Sequence, residues 1–352
     1  MNREMRFHIR LRAGTVCTLL AVALAVFHSI PCLKAEPAMD VLEMEIQQIQ
    51  EERDAIEQSS LSAEEKGGAL QNAKDKVVLL SERNRQFPAR ISSANSFYHI
   101  YATTTQTAYH YMHEADHVYS EYVRLFTNYR FSNEYPAHIL VYPDHATYLK
   151  YEKVNPAVAG HAMSDRLTFK KYVETSKGLE VEEELRPGTK LQRLAFYVPA
   201  ADDLNQTTFA HELAHLFNWD MVNQDAPAGD EITPNLFLNE GLAEYFGVMD
   251  DRKQHELRIA ALRRITKPVG PWEWLGLPTY PPYLKIREFY AEAYLFSRWL
   301  TDQKPVAGER LKAFLAIHSL EEAEETMQQL TQRFVPRIDL NAYAAYRQKI
   351  LE

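Results

Sequence analysis

The sequence predicts an α+β fold in which a small mixed sheet and its helices lead into a helix built on His211-Glu212-Leu213-Ala214-His215, followed by a helical C-terminal part. Three observations predict it. Between residues 96 and 198, aromatic and β-branched runs alternate with amphipathic stretches, as strands interleaved with helices do. His211 and His215 stand four apart between Phe209-Ala210 and Leu216-Phe217, an apolar helical setting. After Asp250 the strand-like runs give way to helical periodicity.

Taken in order, Arg3, Arg6, Arg10 and Arg12 precede an apolar run from Ala13 to Phe27, and residues 1–35 read as a signal peptide cleaved after Ala35. The expected destination is the periplasm or the medium, with an uncleaved membrane anchor as the alternative. The run falls short of the about 20 residues that span a bilayer, so no stable membrane insertion is expected after cleavage. Both cysteines, Cys17 and Cys32, lie in this segment, which excludes a disulfide framework and thiolate metal ligands from the rest. Its removal takes away five basic residues and one acidic residue, so the net charge of −9 becomes −13. Such acidity argues against nucleic acid and anionic membrane surfaces as partners.

Residues 36–90 read as a helical hairpin. Leu42, Ile46, Ile49 and Ile56 keep a heptad-like spacing, Ser59 to Gly68 interrupts it with Gly67-Gly68 as the strongest breaker, and Leu70, Ala73, Val77 and Leu80 resume it. Such an arm either mediates oligomerisation through residues 39–83 or packs on its own chain; roughly two heptads per arm is short for an autonomous coiled coil and favours the second. Residues 91–250 carry the sheet. Expected are a strand at 96–103, a helix at 106–126, a strand at 137–142, a short helix at 145–151, an acidic surface hairpin or loop at 171–190, and a strand at 191–198 in which Leu194, Phe196 and Val198 alternate with Arg193, Ala195 and Tyr197. Residues 251–352 form a helical subdomain, with helices at 252–266 and 286–300 joined by an aromatic, proline-rich connection from Gly270 to Tyr283.

The chemistry concentrates on two segments. Residues four apart share a helix face, so His211 and His215 can direct their imidazoles at one metal ion. Glu212, beside them but not among them, suits the general base that takes a proton from water activated by the metal. A catalytic zinc site needs a third protein ligand, and Glu240 of Asn239-Glu240-Gly241-Leu242-Ala243-Glu244 supplies one. Glu244, one turn on, suits the carboxylate that accepts a ligating histidine's second ring hydrogen.

With these two segments the chain resembles the gluzincin metallopeptidases, and within them the secreted bacterial peptidase MA-like proteins. The resemblance runs from about Ser96 to about Leu300, and Phe237 stands where those families often have tryptophan. It implies a zincin-like catalytic domain, bound Zn2+ and hydrolysis of peptide bonds. It also implies that the strand just before the metal helix, here 191–198, lies beside the cleft and pairs with extended substrate, the alternative being an interior strand that serves packing alone. Arg287-Glu288-Phe289-Tyr290 resembles the segment whose tyrosine stabilises the oxyanion, which makes Tyr290 a further catalytic candidate.

A second His-Glu-x-x-His, His113-Glu114-Ala115-Asp116-His117, serves as an internal control. It carries Asp116 between its histidines and has no Asn-Glu-Gly partner at a suitable distance, so His110, His113 and His117 read as a solvated or domain-facing helix edge. The expectation is thus a secreted, zinc-dependent peptidase acting on a peptide or protein substrate. Its alternative is a non-catalytic secreted binding or scaffold protein that retains a structural metal site.

Overall fold

The structure, a computed structural model, describes residues 40–59, 61–127, 129–131, 136–175, 178–198, 206–223, 232–302, 312, 315–316 and 340–352. The expected signal peptide lies outside the described residues. Residues 41–352 form one compact unit, so the hairpin, the sheet and the C-terminal helices are parts of a single body. Among the described residues no helix is long and apolar enough to cross a membrane.

Two helices open the unit, α1 (Val41–Gln58) and α2 (Ala63–Asn84). The break between them is shorter than the glycines suggest. Ser62 and Glu65 form a reciprocal capping box that starts α2, which then runs straight through Gly67 and Gly68. Each glycine costs about 1 kcal/mol relative to alanine in a helix, less than the cap and the packing of α2 on α1 restore.

The sheet has five strands in the order β1-β2-β3-β5-β4. They are β1 (Ala89–Ser92), β2 (Tyr98–Ala102), β3 (Ala137–Tyr142), β4 (Gly160–Thr175) and β5 (Gly178–Tyr197). β2, β3 and β5 run parallel to one another, whereas β1 and β4 are antiparallel to their neighbours. Every residue of β3 is buried because helices cover both faces. One face presents Ile100, Ile139, Leu194 and Phe196 to α3 (Thr105–Leu125) and the metal-motif helix. The other presents Tyr101, Leu140, Tyr142 and Ala195 to α1 and α4 (His145–Glu152).

One expectation changes and one is narrowed. The segment 191–198 belongs to β5, which is paired on both sides, so its edge is not open to a substrate; β4 is the terminal strand on that side. Of the two forms expected for the acidic segment from residue 171, the structure has the hairpin, since β4 and β5 continue as one long antiparallel pair. The N-terminal hairpin packs on the sheet of its own chain through a buried ion network. Glu45 of α1 pairs with Arg83 of α2 and, at 3.0 Å, with Arg193 of β5; Arg193 in turn pairs with Glu152 of α4 at 2.9 Å. Burial pushes the Glu152 carboxyl up, but His161, Arg193 and the Tyr142 hydroxyl more than reverse this and hold it at about 2.

The remaining helices are α5 (Gln206–Asn223), α6 (Leu236–Gly247), α7 (Arg252–Arg263), α8 (Pro271–Leu275), α9 (Tyr283–Asp302) and α10 (Leu340–Leu351). α6 lies between α5 and α9. With its small five-stranded mixed sheet and separate helical layers, the molecule is an α+β protein.

Candidate metal centre

The centre is built where α5 meets α6. His211 and His215 project from one face of α5, and Glu240 reaches them from α6. α6 starts at Asn235, whose side-chain oxygen caps Leu238 and whose amide donates to the Leu275 carbonyl at 2.7 Å. Fully buried Phe237 anchors the helix against Trp274, Phe289 and Phe296. Gly241 is explained by α9, because a Cβ there would come within 2.3 Å of the Ala293 carbonyl oxygen. The glycine lets α6 press against α9 and so sets where Glu240 stands.

Three candidate ligand atoms form a nearly regular triangle. His211 Nε2 and His215 Nε2 are 3.1 Å apart, and Glu240 Oε2 lies 3.4 Å from the first and 3.5 Å from the second. An ion bound tetrahedrally at about 2.0–2.1 Å from each ligand separates them by roughly 3.3–3.4 Å, so the triangle fits such an ion without rearrangement. Glu240 is 3 % exposed, and its Oε2 makes no hydrogen bond among the described residues, as expected of an atom whose partner is a cation. Among the described residues this is the one group of histidine and acidic side chains arranged to hold a metal ion.

Electrostatics show what a cation would replace. Burial alone would lower the His215 imidazole, but the adjacent Glu240 carboxylate, aided by Glu212, lifts it to about 9. Burial raises Glu240, yet the two imidazoles hold it well below the usual carboxylate range. Without metal, a proton on His215 therefore faces the ionised Glu240 carboxylate. A divalent ion must displace that proton.

A surrounding layer holds the triangle. Glu244 Oε1 lies 3.5 Å from His211 Nδ1, the expected orienting contact, while its other oxygen accepts from Arg258 of α7. The Tyr280 hydroxyl donates to Glu240 Oε1, leaving Oε2 to face the histidines. On the far side Asn239 lies against His215 and is held by Asn218 Nδ2 at 3.0 Å; Asn218 accepts from buried Tyr122 at 2.8 Å. Periodicity does not reveal Tyr280, Arg258 or Tyr122, since each reaches the centre from a different element, whereas Asn218 lies on α5 itself, seven residues after His211 on the same helix face. The one clue was the aromatic, proline-rich connection that carries Tyr280.

Glu212 sits beside the triangle but is not part of it. A Cβ at Gly160 would lie 3.2 Å from Glu212 Cγ and 2.9 Å from Thr208 Cγ2, so the bare backbone at the start of β4 forms one wall next to Glu212. Tyr290, on α9, packs its ring 6.4 Å from that of Tyr280. Burial, and after it the negative charge of Glu240, pushes the Tyr290 hydroxyl well above the usual phenol range, so it stays a donor. The control motif contributes no atom to the triangle, although Glu114 accepts from Gln206 at the start of α5 at 3.3 Å. His113 and His117 are exposed, and His117 pairs with Asp250 at 2.7 Å.

No protein-family model matches the chain, and no curated protein matches it. What the centre does is read from its own geometry.

Proposed function

We propose that this chain is a secreted zinc-dependent peptidase of gluzincin type. The observation that carries the reading is the triangle of His211, His215 and Glu240 with the carboxylate of Glu212 next to it and outside it. Three nitrogen and oxygen ligands suit zinc and leave one tetrahedral position open, the arrangement of catalytic sites. When bound, the ion supplies a Lewis acid that polarises a carbonyl and makes nearby water acidic.

The chain's own groups do the rest. A Glu212 carboxylate oxygen takes the proton of the attacking water and passes it to the nitrogen of the leaving amine. Tyr290 donates its hydroxyl hydrogen toward the oxyanion. Glu244, backed by Arg258, fixes the ring of His211, and Tyr280 fixes the rotation of the Glu240 carboxylate. Extended substrate lies along β4, the terminal strand beside Glu212, through backbone hydrogen bonds.

Elemental analysis of the purified protein beside Glu240→Ala tests the premise. One zinc per chain, lost or greatly weakened in the variant, supports it. Absence of zinc from both would move the chain to a binding or scaffold role.

A further inference from the structure

We infer that a second cavity, on the side of α6 that faces α3, binds a small organic carboxylate through Arg298. The cavity measures about 720 Å³ and lies between the C-terminal half of α3, the junction of α6 with α7, and α9. None of His211, His215 or Glu240 lines it, so it is separate from the metal centre. Its volume falls within the roughly 300–1,000 Å³ of small-molecule sites, and Leu125, Phe246, Val248 and Met249 supply an apolar wall.

Charge pairing singles out Arg298. Of the other arginines on the lining, Arg124 pairs with Glu121 and Arg252 with Glu256 at 2.9 Å, while His117 lies in hydrogen-bond contact with Asp250 at 2.7 Å. Arg298 Nη1 donates instead to His255 Nε2 at 2.9 Å, and His255 Nδ1 meets the Tyr294 hydroxyl. Burial, followed by the neighbouring guanidinium, lowers the His255 pKa, which keeps this imidazole neutral. Asp302, one turn further along α9, accepts the Tyr346 hydroxyl at 2.9 Å. Among the described residues, the hydrogen-bond partners of Arg298 are thus an imidazole and a phenol, both neutral.

A guanidinium held in place by a neutral imidazole, with further donors available, is a fork for a carboxylate. Arg298 feels the charge of Asp302 but makes no ion pair among the described residues; a single guanidinium suits a monoanion, and the acids Glu121, Asp250 and Asp302 on the lining disfavour a dianion such as phosphate. The apolar wall selects a hydrocarbon body behind the carboxylate. Such a group can come from a free organic acid or from the C-terminus of a short peptide.

The test is isothermal titration of metal-stripped Glu240→Ala protein, which keeps carboxylates off the metal centre and makes the result independent of the peptidase reading. The probes are 4-phenylbutyrate with the neutral 4-phenylbutan-1-ol, and the dipeptide Phe-Leu with its C-terminal amide. The expected result is binding of at least one carboxylate but not its neutral analogue, weakened at least tenfold by Arg298→Gln. Met249→Trp, which fills the cavity and spares Arg298, should abolish it. Response to the acid alone or to the dipeptide alone assigns the source, and either supports the site. Equal response to charged and neutral probes, no binding of any probe, or binding unchanged in Met249→Trp would overturn it, and that variant decides if Arg298→Gln does not fold.

Discussion

Glu212 differs from Glu240 in one respect that decides its chemistry: it stands beside the ligand triangle and contributes no atom to it. Glu212→Gln should therefore keep the metal and lose about 10²–10⁴-fold in peptide hydrolysis, measured as kcat/KM beside metal content. Equal activity in the two proteins would sink the mechanism. Glu114→Gln, in the second motif, should change neither quantity, because Glu114 is not in the group arranged to hold a metal. Tyr280→Phe removes the hydrogen bond that orients Glu240 and should weaken zinc about 10–100-fold in a chelator competition, with the fold unchanged. Because His215 holds its proton up to about pH 9 in the metal-free centre, metal uptake at pH 7 should release about one proton. Titration in buffers of different ionisation heat measures it, and the release should fade as pH rises through 9. At this scale much of the centre is legible in the sequence. His211, Glu212 and His215 share one helix turn, and Glu240 and Glu244 share another, so spacing alone groups them. Tyr280 is one of twenty tyrosines, and only the fold-back of its connection toward α6 selects it.

Elements respond to glycine in opposite ways here, according to what lies beside them. Gly241 has the Ala293 carbonyl oxygen 2.3 Å from where a Cβ would sit, whereas Gly67 and Gly68 have nothing within 4 Å. Gly241→Ala should force α6 away from α9 and cost about 1–3 kcal/mol or more in urea unfolding, with weaker metal binding because Glu240 moves with its helix. Alanine at Gly67 or Gly68 should instead stabilise α2 by about 0.5–1 kcal/mol each. The same contrast explains the misplaced break in the hairpin. Glycine breaks a helix only when no better signal overrides it, and Ser62 with Glu65 is such a signal, written in the sequence three residues apart. The expected strand at 96–103 shortens to β2 because Ser93 to Ser96 form the turn that pairs it with β1, and Ser96 takes φ of 59°.

The molecule as a whole is tied together by buried charge as well as by apolar packing. Glu152 is held at about 2 against an ordinary 4.5, so its pairing contributes stability that is present above the unfolded value and is lost as pH falls from about 4.5 toward 2. Urea midpoints across that interval should drop steeply in the wild type and less so in Glu152→Gln. At neutral pH that variant should lose about 1–3 kcal/mol, because Arg193 keeps only Glu45, which it shares with Arg83. What the sequence determined by itself is what depends on neighbours within a turn or a strand: the strand at 137–142, the α3 and α5 helices, the acid beside the two histidines and the likeness of Glu240-Gly241 to a ligand segment. What only the tertiary structure decided is what depends on which distant elements meet. It buried β5 and made β4 the terminal strand, laid the N-terminal hairpin on the sheet through Glu45, Arg193 and Glu152, and brought Tyr280 to Glu240 and Arg258 to Glu244. Periodicity reports a residue's face but not its partner, and partners are set by packing across the whole chain.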